Sequence, residues 1–142
     1  MYKSVLVLCL SVLIAGCDQG NSEPKVNGRW YTQFQLDLGK KVYAENCISC
    51  HGENAKGTTS WRERDPDGNY PPPPLNGTAH AWHHPIVVLK MVIGEGGVPL
   101  GGKMPGFGEK LKDDEMLAAI SYIQSFWPDE IYKAWISRGG LK

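Results

Sequence analysis

Neither sign of charge predominates in this chain of 142 residues: 15 lysines and arginines stand against 15 aspartates and glutamates. Without a basic stripe there is no electrostatic footprint for nucleic acid, and without an acidic tail there is no block of like charge to hold a segment unfolded. No segment alternates apolar and polar residues as a half-buried strand does, and there is no internal repeat, so neither a sheet protein nor a solenoid is expected. Cysteine is scarce, at four residues. The length suits one small domain and not two. What the chain has in quantity is 17 glycines and 10 prolines, so much of it is expected to be loop. A small, loop-rich domain buries little apolar surface of its own. A metal or cofactor is expected to complete its core.

The start of the chain, "MYKSVLVLCLSVLIAGC", carries one positive charge at Lys3 and an apolar run from Val5 to Ala15. The run is short for a membrane span and has the layout of a secretory signal over residues 1–16. Its end, "LIAGC", resembles a bacterial lipobox, with cleavage between Gly16 and Cys17 and lipid on Cys17. Several acyl chains at one site would anchor the protein stably. Asp18, directly after Cys17, resembles the residue that retains some bacterial lipoproteins in the inner membrane, so an exported lipoprotein at the periplasmic face of that membrane is expected. Residues 17–34 are polar, broken by Gly and Pro, and read as a tether, leaving residues 35–142 as the functional domain with a short C-terminal extension. Cys9 departs with the signal and Cys17 carries lipid. The mature domain then keeps only Cys47 and Cys50, in an oxidising compartment.

From Leu36 the spacing changes to helical, with Leu36, Gly39, Val42, Tyr43 and Cys47 near one face and Asp37 as the expected N-cap. Residues 52–78 are irregular, with four prolines at 71–74 that exclude helix. "HPIVVLKMVIGEGG" reads as a short helix stopped by Gly94, Gly96 and Gly97. "KDDEMLAAISYIQSFW" opens on acids suited to a helix N-terminus and carries Met116, Leu117, Ile120, Ile123 and Trp127 on one stripe. The tail after Pro128 is expected to add a helical turn or two, with Trp127, Tyr132 and Trp135 as packing residues.

The chemistry centres on "CISCH", residues 47–51. A structural zinc site needs four ligands, and only one cysteine pair is present. A thioredoxin-like dithiol needs a preceding strand, and here a helix precedes. Covalent haem accounts for every residue of the motif: Cys47 and Cys50 add to the two haem vinyl groups and His51 is held beneath the iron. A second axial ligand is then needed. Among Met91, Met104 and Met116, the first and last lie in apolar helical stripes where Met is core filler. Met104, in "GGKMPGFG", has no evident packing role, and a soft thioether suits an electron-transfer iron.

With these residues in place, Leu36 to Trp127 resembles the bacterial class I cytochromes c. The family's helix of Gly, aromatic and haem motif is matched by Gly39, Tyr43 and Cys47, its Pro-x-Leu-x-Gly turn by Pro73, Leu75 and Gly77, its Met-Pro loop by "KMPGF", and its late helical aromatic by Tyr122. The resemblance implies an all-α fold with crossed N- and C-terminal helices around one covalently bound haem c, and long loops. It further implies His51 and Met104 as axial ligands of the iron, and a Pro73 carbonyl that accepts a hydrogen bond from the His51 Nδ1–H. The chain departs from the family in the loop "TTSWRERDPDGNYPPPP", in "HAWHHP" and in the tail beyond Trp127.

His80, His83 and His84 admit three readings: a wall of the haem pocket, a separate copper or zinc site, or an alternative iron ligand. The expected function is a single-electron carrier, not an enzyme, working between redox protein partners that include a membrane or copper-containing oxidoreductase. The rivals are a haem-based sensor and a metal-delivery lipoprotein using the three histidines.

Overall fold

Thr32 begins the first helix, and it does so by reciprocal capping. Its hydroxyl accepts from the Gln35 amide at 3.3 Å, and the Gln35 side chain accepts from the Thr32 amide at 3.0 Å. The computed structural model describes residues 23–142. The expected signal sequence and Cys17 lie outside the described residues. Five α-helices follow: α1 Gln33–Asn46, α2 Ile48–His51, α3 Ile86–Glu95, α4 Asp113–Ser125 and α5 Asp129–Ser137. Among the described residues there is no strand, only two isolated bridges. The N-cap expected at Asp37 lies instead at Thr32, and Asp37 accepts from the Gln33 side chain inside the first turn.

Helices α1 and α4 pack directly on each other. Their approach depends on Gly39: a Cβ there would stand 1.9 Å from the Ala118 carbonyl oxygen and 3.0 Å from the Tyr122 Cβ. Val42 packs with Leu111, Met116 and Ala119 on one side, and Tyr43 with Ala55 and Ile123 on the other. The Tyr43 and Tyr122 rings lie 5.2 Å apart. Ser121, buried at the crossing, satisfies its hydroxyl on the Ala118 carbonyl at 2.7 Å. The fold is therefore all-α, with helices α1 and α4 in direct contact.

Helix α5 runs for nine residues, so the tail is a full element. Trp127 and Trp135 are almost wholly buried, and their indole N–H groups donate to the carbonyls of Leu75 at 2.7 Å and His84 at 2.8 Å. The Ile86 amide at the start of α3 donates to the Gly140 carbonyl at 2.7 Å. The tail thus ties down the loop that leads into α3.

The expected tether boundary at residue 34 is corrected by this packing. Tyr31 is 1% exposed, the Trp30 amide donates to the Tyr132 hydroxyl at 2.9 Å, and Arg29 pairs with Asp129 at 2.8 Å. A buried Tyr31 and a Trp30 whose indole donates to the Gln124 side chain at 2.6 Å outweigh the loop-like composition around them, so the folded unit includes residues 29–31. Met91 is corrected as well. It is 46% exposed, because α3 is mostly apolar and only part of it rests on the rest of the chain.

Candidate functional site

The end of α1 runs through Cys47 directly into the single turn of α2. The Cys50 and His51 amides both donate to the Cys47 carbonyl, at 3.2 and 2.9 Å. One helical turn therefore carries both thiols and the imidazole. Both cysteines are free. Burial pushes the Cys47 thiol up to about 11, and neighbouring Cys50 adds to this while Lys110 opposes it. Cys50 is exposed.

A short ladder beside this turn delivers the partner of His51. The Leu75 amide donates to the Ala55 carbonyl and the Thr58 amide to the Pro72 carbonyl, which brings the 72–75 segment alongside residues 55–58. The Pro73 carbonyl then lies 3.0 Å from His51 Nδ1. A carbonyl can only accept, so Nδ1 is the protonated nitrogen and Nε2 keeps its lone pair. His51 is 7% exposed, and burial lowers its pKa against the opposing effect of the Pro73 bond. The ring is thus held neutral, in one tautomer, with Nε2 as a donor atom for a metal.

Met104 stands on a loop folded against the end of α3. The Gly97 amide donates to the Met104 carbonyl at 2.9 Å, and the Phe107 and Gly108 amides donate to the carbonyls of Ile93 and Gly94 at 2.9 and 3.0 Å. Gly96, at φ +89°, makes this approach possible, since a Cβ there would lie 2.7 Å from the Met104 carbonyl oxygen. Met104 is partly buried, whereas Met116 is buried in the helix core.

Two features show that these residues fit a haem. The donor atoms are two free thiols, an imidazole nitrogen and a thioether, a set suited to covalent attachment and axial ligation of iron. In addition, α3 presents Ile86, Val87, Val88, Leu89, Met91, Val92 and Ile93, yet no residue of it is buried. A helix so apolar is expected to be covered. A flat apolar ring beside it would supply the cover.

The three remaining histidines are engaged separately. His80 stacks on Trp61 at 5.0 Å and meets the His84 ring edge-on at 5.6 Å, while His83 lies 4.0 Å from Trp82. Among the described residues no three His, Cys, Asp or Glu side chains are grouped to hold a metal ion. Sequence reading missed the ties between residues 64–70 and the Met104 loop. Their partners lie more than thirty residues apart and carry no local signal.

A family model described as Cytochrome c matches residues 36–127. The cbb3-type cytochrome c oxidase subunit FixP of Sinorhizobium medicae is 28% identical over 97 residues, covering 66% of this chain and 30% of FixP. The cbb3-type cytochrome c oxidase subunit CcoP of Rhodobacter capsulatus is 46% identical over 33 residues, covering 23% of this chain and 11% of CcoP. The matched region thus spans less than a third of either relative. No solved structure matches the chain.

Proposed function

Because this chain belongs to the cytochrome c family and carries covalently bound haem c, we propose that it is a single-electron carrier whose iron is held between His51 Nε2 and Met104 Sδ. Cys47 and Cys50 form the thioether bonds. When bound, the haem supplies an iron that takes up and returns one electron. His51 is kept neutral and oriented by the Pro73 carbonyl, and that hydrogen bond is the observation that carries the reading. It commits Nδ1 and leaves Nε2 for the iron, on the same helical turn as two free thiols. Met104 would supply a second ligand to the iron beside His51, and with both residues on the metal the protein would act as a carrier and not as an enzyme. The apolar face of α3 keeps water from the ring.

The partner supported by the relatives is a membrane oxidase, since both are named as subunits of cbb3-type oxidases. Residues 1–16 direct export, and lipid on Cys17 holds the protein at the periplasmic face of the inner membrane. The residues between Cys17 and the folded unit form the tether. The support is the Ala15-Gly16-Cys17 junction after an apolar run, with Asp18 next.

Met104→Ala tests the ligand set. The haem should stay with the chain, because its attachment does not involve Met104. Carbon monoxide, which should leave the reduced wild type unchanged, should now bind readily. The potential should fall by on the order of 0.1 V, part of the ~0.8 V range that axial ligands span. Met91→Leu, at an exposed position, should change neither property. Carbon monoxide binding equally well to wild type and Met104→Ala would remove Met104 from the iron.

A further inference from the structure

The loop between Trp61 and Tyr70 reaches across, as a strap, to the loop that carries Met104. Its own form is set by the Asp65 carboxylate, which accepts from the amides of Asp67 at 3.0 Å and Asn69 at 2.9 Å. The Arg64 guanidinium lies over the Tyr70 ring, 4.2 Å from its centroid, and donates to the Gly68 carbonyl. Two ties then leave this strap. The Tyr70 amide donates to the Gly101 carbonyl at 2.8 Å. Lys103 Nζ stands 2.8 Å from the Asp65 carboxylate and 2.8 Å from that of Asp67. On its other side the same segment is bound to the end of α3, where the Gly102 amide donates to the Gly97 carbonyl and the Gly97 amide to that of Met104. Residues 101–104 are thus clamped between α3 and the strap.

We infer that Asp65 and Asp67 are positioning residues for Met104: by holding Lys103 they keep the thioether on the iron and set how readily an outside ligand takes its place. This rests on the reading of Met104 as an axial ligand. The segment has no helix or strand to hold it, so its order depends on these few ties. An outside ligand binds only the form in which the loop has opened. Its apparent affinity is therefore scaled by the fraction open. Cutting the strap raises that fraction. Two carboxylates sharing one ammonium form a small network, which holds better than a lone surface pair. Asp65 should matter more than Asp67, since its side chain is 26% exposed against 76%.

Imidazole titration of the purified ferric holoprotein, followed in the visible spectrum, reads the open fraction. Asp65→Asn with Asp67→Asn, and separately Lys103→Ala, should bind imidazole about fivefold more tightly than wild type. Lys103→Arg, which keeps the charge pair, should stay within about twofold. A role confined to general stability would move the thermal midpoint and leave imidazole affinity unchanged. Met104→Ala marks the fully open limit and should bind at least about tenfold more tightly than wild type. Unchanged affinity in the acid and Lys103→Ala variants, with tight binding by Met104→Ala, overturns the strap alone. Lys103→Arg behaving as Lys103→Ala overturns it too, because the ion pair would not be the cause. Met104→Ala binding no better than wild type overturns the axial reading and the strap with it.

Discussion

A carbonyl 22 residues downstream decides what the His51 ring can do. By accepting from Nδ1 it removes that nitrogen from ligation and fixes the other as the donor. His80 shows the opposite use of an imidazole. Partial burial against its surroundings lowers its pKa, with further lowering from His84, His83 and Arg62. The residue as a whole remains exposed, so the shift is expected to be modest. Its ring signal in the diamagnetic ferrous protein should titrate below the ordinary value of about 6.5. His84→Ala should raise that midpoint by removing a neighbouring positive charge. The sign for stability follows from linkage: below pH of about 6.5 the unfolded chain takes up a proton that folded His80 resists, so stability falls as pH drops. A midpoint unmoved by His84→Ala would separate the two rings electrostatically.

Among the elements, the contact of α1 with α4 is the least forgiving. Gly39→Ala places a methyl 1.9 Å from a backbone oxygen, which no side-chain adjustment relieves. Alanine gains about 1 kcal/mol in helix propensity, but the helices must separate, and net destabilisation of about 2 kcal/mol or more is expected in denaturant unfolding of the holoprotein. A neutral Gly39→Ala would mean that α1 and α4 can part freely. Helix α5 carries a comparable load. Trp135→Ala removes a 1%-exposed indole and its bond to the His84 carbonyl, with an expected loss of about 3–5 kcal/mol. Since His84 leads into α3, the loss should appear as weaker protection of the α3 amides from hydrogen exchange. Global unfolding without that local change would show that the tail stabilises the fold but does not brace the loop.

For the whole molecule, the lipobox reading we propose makes the anchor at Cys17 a module separable from the redox site. Cys17→Ser should release the protein from membranes in cell fractionation while haem staining of the chain persists, because Cys47 and Cys50 do not depend on lipid. A correctly cleaved variant that stays membrane-bound would end the lipobox reading. Local sequence was enough for what is written in short spacing: the "CISCH" turn, the Gly39–Tyr43–Cys47 register, the helices that become α1, α3 and α4, and the all-α family they belong to. Such features depend on residues within a few positions of one another, where backbone periodicity alone sets the geometry. The cap at Thr32 is also written locally, in the Thr32–Gln35 pair three residues apart, but the packing of residues 29–31, the exposure of Met91 and the full length of α5 were not legible, because each depends on what a side chain meets far along the chain. Lys103 is the plainest case. In sequence it is one more lysine beside Met104, and only folding brings Asp65 and Asp67, 38 and 36 residues away, to within 2.8 Å of its ammonium. Sequence determined which atoms are available to bind haem; tertiary structure decided which of them are held still, because holding requires partners that chain connectivity does not place side by side.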